Sequence, residues 1–463
     1  MHGKTCSLLR AGALLTLITL SPLFAQQENT ILRSQLVLGN DDETAELCID
    51  GSIAYVARGA FGVDIVDISN PLAPQKLLSL NPDPGGTVEI HDVQVHGGHL
   101  YAIDQSGVVD SNLGNFVGAY IYDVSTPAVP VLVNTLLWGD LNTPWSWRGA
   151  MSHNATLADI GSQTFLFVSS LITSGVEIFD VTDPQNIAWR AVVNPPILGA
   201  GAHDVSVRGT TLYTTWLQHG FTLHDLSALP TLSGIGDPYG PQSVPQLGWH
   251  SYSGAYTHGI SPTANGSHVC TTDRYNGGRL RIFDVQSPSS ITQVAEVVGS
   301  ASTFPNNVDV EGDRACVSWF EDGLRIIDIA DPAQPRMLGW YDTTPAAPSG
   351  NRAEGGFGVV ANGSIGAYLT DCTGGLFVID IQDEVTITSA TYKKRNGEIT
   401  IVAKSTASPG AVLTAVGHGV LTYQPGSNEY RGVFAVPSKP GSVTVTSSLG
   451  GEDTASFGGG RNR

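Results

Sequence analysis

The chain predicts an all-β fold, a seven-bladed β-propeller followed by a small immunoglobulin-like β-sandwich. Three observations carry that expectation. The string Gly323-Leu324-Arg325-Ile326-Ile327-Asp328-Ile329-Ala330-Asp331-Pro332 returns in worn form, its Asp falling at Asp67, Asp123, Asp180, Asp225, Asp284, Asp328 and Asp380. Seven copies at intervals of about 45 to 60 residues mark a repeat architecture. Charged residues are only 14% while glycines number 54, a balance that suits tight turns and short strands better than long helices. The period stops after Asp380 and a different strand pattern begins.

Residues 1–25 read as an export signal. Lys4 and Arg10 give a basic start, Ala11 to Leu20 is an apolar run too short for a bilayer, and Leu23-Phe24-Ala25 forms a cleavage site before Gln26. The mature protein is therefore expected to be secreted, extracellular or periplasmic, with no membrane span. Residues 26–383 are assigned to the propeller. Ile31 to Leu38 is an apolar strand with no repeat of its own, and the seventh repeat, from about Glu354 to Ile381, lacks a fourth strand. The N-terminal strand, residues 31–38, is expected to close the last blade and so remove an open sheet edge.

Each repeat carries four strand signals. Asp92-Val93-Gln94-Val95 exemplifies the first, His99-Leu100-Tyr101-Ala102-Ile103 the second, the Asp-ending string the third, and Gln75-Lys76-Leu77-Leu78-Ser79-Leu80 the fourth after a proline-stopped turn. The recurring Asp reads as a turn former that accepts backbone N–H groups. Residues 384–456 hold strands at Val385 to Tyr392, Glu398 to Lys404, Val412 to Val416, Tyr430 to Val436 and Ser442 to Ser448, with Asn396-Gly397 as a hairpin turn, which suggests the immunoglobulin-like sandwich. Residues 457–463 are Gly-rich and read as a disordered tail.

Net charge is −19, and removing residues 1–25 takes away two cations and no acid. An acidic surface with no basic stripe excludes nucleic acid as a partner. The recurring Asp residues come one per repeat, unlike a clustered calcium loop. Cys48, Cys270, Cys316 and Cys372 remain after cleavage and read mostly as small buried hydrophobes, Cys48 with Cys372 being the one pair weighed for a disulfide. None has zinc-site spacing.

Gly62-Val63-Asp64-Ile65-Val66-Asp67-Ile68-Ser69 and Leu324-Arg325-Ile326-Ile327-Asp328-Ile329 resemble the repeats of bacterial LVIVD-repeat β-propellers. The longer run from Asn306-Asn307 through Gly339-Trp340-Tyr341-Asp342-Thr343 to Gly375-Leu376-Phe377-Val378 is similar to their exported "choice-of-anchor B" branch. The likeness covers roughly residues 31 to 381. It implies a seven-bladed propeller on an exported protein of variable C-terminal attachment, and it supplies no biochemical activity. The present chain departs from that branch in having no recognisable anchor.

The sharpest chemical signal lies on the first strand of successive blades. His91 precedes Asp92, His153 precedes Asn154, His203 precedes Asp204 and His258 precedes Gly259, so four consecutive blades place histidine at one register; Ala45, Asn306 and the Gly356 to Gly358 region hold it in the others. First strands line a propeller's channel, where converging imidazoles suit a transition metal such as Fe, Cu or Zn. The alternatives are a structural tie between blades and a proton-sensitive or ligand-binding ring. Asp92 and Asp204, facing away from their own histidines, are candidates to serve a neighbouring blade's imidazole.

Trp145, Trp147 and Arg148 sit in an insertion before His153, placed to stack on a sugar or aromatic ligand at the channel mouth, or else to pack between blades; Trp249 and Tyr252 belong to the same wall. There is no Gly-x-Ser-x-Gly elbow, Cys-x-x-Cys, phosphate loop or His-Glu-x-x-His, and no catalytic residue is assigned. Two functions follow. The first is an interaction protein presenting its loop face to a protein or carbohydrate; the second is a metal-dependent enzyme, an oxidoreductase for example, centred on His91, His153, His203 and His258.

Overall fold

The computed structural model describes residues 27–457 apart from 40–43, 85–86, 108–115, 139–150, 172–174, 233–241, 275–276, 300–302, 346–353, 364–365 and 409. The expected export signal, the Trp145, Trp147 and Arg148 cluster, and residues 458–463 lie outside the described residues. Among the described residues the helical segments are two short 3₁₀ turns, Leu229–Thr231 and Pro288–Ser290, and no helix is long and apolar enough to cross a membrane.

Among the described residues there are nine sheets of four or five strands, seven from residues 27–381 and two from residues 385–456. In chain order, the first strands of the seven are Leu47–Asp50, Ile90–His96, Ser152–Ile160, Val205–Arg208, Thr257–Pro262, Val308–Glu311 and Gly356–Asn362. Each starts an antiparallel ladder that runs outward; in the first sheet the order is Leu47–Asp50, Ile53–Ala57, Val63–Asp67 and Gln75–Leu80. Burial explains the residue choice. Val63–Asp67 is buried on both faces and fills them with Val63, Ile65 and Val66, its buried Asp64 being paired with Arg58, whereas Gln75–Leu80 at the rim is mostly exposed and admits Gln75 and Lys76.

The glycine that opens the repeated string is needed for geometry. Gly220 and Gly323 have φ of 75° and 70°, and a Cβ there would collide with the carbonyl oxygens of His250 and Tyr341 on the neighbouring fourth strands. The recurring Asp then closes the strand. Asp67 Oδ1 accepts the Ser69 amide at 2.8 Å, and Asp123, Asp180, Asp225, Asp284 and Asp328 repeat the contact two residues on. Asp380 departs from this: its carboxylate takes Arg33 Nε at 2.9 Å and Nη2 at 2.5 Å. Arg33 belongs to Thr30–Leu36, the outer strand of the sheet that holds Gly356–Asn362.

First strands touch in succession, and Gly356–Asn362 returns to Leu47–Asp50, so the array is a closed β-propeller. One hydroxyl per junction splices five of the neighbours. Thr215 Oγ1 accepts the Asp204 amide at 2.9 Å within its own sheet and donates to the His258 carbonyl of the next at 2.8 Å. Ser169, Thr272, Ser318 and Thr370 donate likewise to the carbonyls of His203, Asn306, Phe357 and Ala45. Each such bond contributes about 1 kcal/mol and gives a junction carbonyl its donor.

Two details were not readable in the repeat. Gln242–Ser243 adds to Ala188–Val193 as a parallel fifth strand, and Gln27–Glu28 caps Arg336–Tyr341. The last two sheets bury Ile399, Ile401, Leu413, Val443 and Val445 in a core continuous with Leu338, Phe377 and Ile379 of the propeller. Among the described residues Cys48, Cys270, Cys316 and Cys372 form no disulfide, so the pairing weighed for Cys48 with Cys372 is not made; burial of Cys270 and Cys316 among apolar neighbours pushes both thiols up to about 12.

Candidate functional site

The four register-matched histidines meet at the inlet of the first strands. The His91 and His153 rings stack at 3.9 Å between centroids, His153 and His203 meet edge to face at 4.3 Å, and His203 and His258 lie 3.6 Å apart. His153, His203 and His258 are buried, and His91 is half-buried. Repetition explains the convergence: each strand presents the same register to one axis, and each neighbour is one sheet away.

The tautomers follow from the acceptors. His258 Nδ1 donates to the Asn306 carbonyl at 3.0 Å, which leaves Nε2 as a lone pair without a partner among the described residues. With Gln105 Oε1 as acceptor, His153 Nδ1 donates to it at 2.5 Å, so His153 Nε2 accepts from His203 Nε2 at 2.9 Å. His203 also meets the backbone of His258. Burial lowers all four basicities, His91 to about 4 and the others well below the ordinary imidazole range, with Arg274 adding to the effect at each and neighbouring histidines at His153, His203 and His258. All four are neutral at pH 7.

Above the histidines, Arg274 bonds Asn306 Oδ1 and lies over the Phe320 ring at 5.1 Å, while Phe357 meets His91 edge to face at 5.8 Å. Asp92 and Asp204 serve backbone amides instead of the expected imidazoles. Asp92 accepts from Val93 at 2.6 Å and from Ala155 of the next sheet at 2.7 Å; Asp204 accepts from Val205 and Ile260, both at 2.8 Å. Among the described residues no three His, Cys, Asp or Glu side chains are arranged to hold one metal ion.

Below the histidine layer the channel opens into a cavity of about 270 Å³, walled by all seven first strands. Its lining carries Glu46, Asp92, Asp204 and Asp309 and no Lys or Arg. At the opposite, histidine-bearing end, antiparallel geometry gathers the turns between second and third strands and every connection from a fourth strand to the next sheet. Phe61, Leu198 and Trp249 are exposed on that face, Leu198 at 98%, and Trp249 Nε1 donates to the His219 carbonyl. Tyr252 is instead held inward by Asp273 and by Arg281, whose guanidinium lies 5.0 Å from its ring.

The model of the LVIVD repeat family matches residues 43–81 and 305–343, the first sheet and the sheet built around Leu324–Asp328. The chain carries LVIVD repeats. No curated protein matches it. Among solved structures it is similar to the computationally designed Ika8 protein, at 8% identity and a TM-score of 0.45 over 79% of this chain and 94% of that one, a likeness too remote to bear on function.

The sequence reading missed Gln105, Arg274 and the splice hydroxyls. Ser169, Thr215, Thr272, Ser318 and Thr370 do leave a signal, a Ser or Thr closing the second strand in five repeats. Gln105 and Arg274 follow the Asp that closes a second strand, at Asp104 and Asp273, but the residue type at that position changes from sheet to sheet, so repetition did not mark them.

Proposed function

We propose that this LVIVD-repeat propeller is an exported, non-catalytic binding protein of the choice-of-anchor B kind, seven-bladed with an immunoglobulin-like module, that engages a protein through its loop face. One observation carries the reading. The closed ring of first strands brings the connections of every sheet to one face, where apolar Phe61, Leu198 and Trp249 stand exposed on a rigid support. A photo-crosslinking residue placed at Leu198 is expected to capture a partner that the same residue at Val131, exposed at the other end of a fourth strand, does not. Identical capture at both positions, or none at Leu198, overturns the reading; retention of the face on immobilised glycans instead moves the partner to carbohydrate.

The convergence of the four rings and the unpartnered Nε2 of His258 favour a second reading, a transition-metal centre at His91, His153, His203 and His258 with oxidoreductase chemistry. Untagged protein then retains about one equivalent of Fe, Cu or Zn and releases it on His203→Ala. Less than about a tenth of an equivalent after loading with each metal removes this reading.

A further inference from the structure

Charge is divided unevenly along the chain, and the binding reading does not use the division. Residues 26–383 carry 13 Lys and Arg against 37 Asp and Glu, whereas residues 384–463 carry eight against five. Within the two-sheet module of residues 385–456 the charges are sorted again. Its strand Val385–Lys393 leaves the propeller where the Gln382 amide donates to the Asn29 carbonyl at 2.8 Å. Acids gather at that end: Asp383 accepts from Ser405 Oγ at 2.8 Å, Asp453 Oδ2 accepts from the Ile387 amide at 2.7 Å, and Glu429 lies 3.9 Å from Lys404. At the other end Lys393 pairs in register with Glu398, and the turn between them presents Lys394 and Arg395. Lys439 belongs to the connection after Val436, whose amide donates to the Gly397 carbonyl of that same turn at 2.7 Å. All four cations are exposed.

Three consecutive cations on a tight turn repel one another, and the fold offers little to offset that. Glu398, the acid beside them, accepts from Asn396 Nδ2 at 3.2 Å, and among the described residues Lys393, Lys394 and Arg395 form no ion pair. A negative surface brought against the turn relieves the repulsion. The acidic propeller does not cancel the charge from within. Eight steps of extended strand separate Lys393 from Val385, about 26 Å at about 3.3 Å each, and charges in water are screened over about 8 Å. The shape of the turn selects the partner. A convex hairpin end encloses no small anion, and its cations meet at a tip instead of lining a groove that could follow a polymer's backbone. They act together only against many negative groups presented in a plane.

We propose that Lys393, Lys394 and Arg395, with Lys439, form a docking tip for an anionic lipid surface, which holds the chain by its C-terminal module and keeps the acidic propeller clear of the headgroups. The inference is independent of the loop-face reading, because a protein met at Leu198 and a bilayer met at Lys394 use different parts of the molecule. Each Lys or Arg held at an anionic surface adds about fivefold in affinity. The attraction fades within a screening length, so salt removes it.

The test uses the untagged chain starting at Gln26, so that the apolar run before it cannot enter a bilayer. Its sedimentation is followed with vesicles of mixed phosphatidylcholine and phosphatidylglycerol and with vesicles of phosphatidylcholine alone. Binding is expected to the anionic vesicles only, at low ionic strength, and to be lost on raising salt to about 0.5 M. Lys393→Gln, Lys394→Gln and Arg395→Gln together should weaken it about a hundredfold. Lys404→Gln, which removes a cation at the propeller end of the same module, should change it by less than about twofold. Should the triple variant fail to fold, Lys394→Glu alone, a reversal within the turn, should cost about twentyfold. The proposal is overturned by absent binding to anionic vesicles, by equal binding to neutral ones, or by a triple variant that binds as the wild type does. It is equally overturned if soluble polyphosphate at the same phosphate concentration competes as well as the vesicles, since the tip then reads a polyanion and not a surface. A dimer on light scattering that the triple variant lacks also overturns it, since the acidic propeller of a second copy is then the partner.

Discussion

Replacing Thr215 by Val tests whether the propeller is held by its splice hydroxyls. The two side chains have the same shape, so the change removes an oxygen and little else. It leaves the Asp204 amide and the His258 carbonyl without their partner, both at a junction from which water is excluded. Each orphaned group costs about 1–3 kcal/mol, so the expected loss is about 2–6 kcal/mol. The adjacent residue supplies the control. Thr214 is equally buried, yet its hydroxyl has no partner among the described residues, so Thr214→Val should be neutral or slightly stabilising. Urea unfolding of both variants, compared at constant slope, measures the difference. A gap below about 0.5 kcal/mol, the scatter of inconsequential substitutions, would refute the claim that these hydroxyls join the sheets.

Two further outcomes follow from the geometry. His224, buried on Phe221–Asp225 with Nε2 3.0 Å from Thr222 Oγ1, is lowered to about 4 chiefly by burial. Its folded value lies below the unfolded value of about 6.5, so the stability it contributes is complete above that pH and is lost as pH falls towards 4. His224→Asn should therefore narrow the stability difference between pH 7 and pH 4 by up to about 3 kcal/mol, and an unchanged difference in urea midpoints would contradict the assignment. Deleting residues 27–38 removes the outer strand from Gly375–Ile381 and exposes a full ladder edge; the truncated protein is expected to self-associate on size-exclusion chromatography, and a stable monomer of unchanged melting temperature would show that the strand is dispensable.

Much of the fold was legible because the repeat is written in residues whose role is local. The glycine before the third strand answers a carbonyl one strand away, and the Asp after it answers an amide two residues on, as at Gly323 and Asp328. Asp380 shows where that logic ends, since a long-range partner, Arg33, displaces the local turn. The histidine register was legible for the same reason, but its chemistry was not. Whether His153 Nε2 accepts or donates depends on Gln105, which comes from a turn of the neighbouring sheet.

By itself the sequence determined the all-β class, the repeating four-strand unit and the positions at which four imidazoles share a register, because alternation, turn residues and period act over a few residues. Only the tertiary structure decided which atoms face one another across the axis. Closing the ring sets residues about 50 to 260 positions apart within hydrogen-bond reach, as His153 with His203 and Glu46 with Asn307. That proximity buries these groups, and desolvation, which no local pattern encodes, is what keeps the imidazoles neutral and raises the carboxylates.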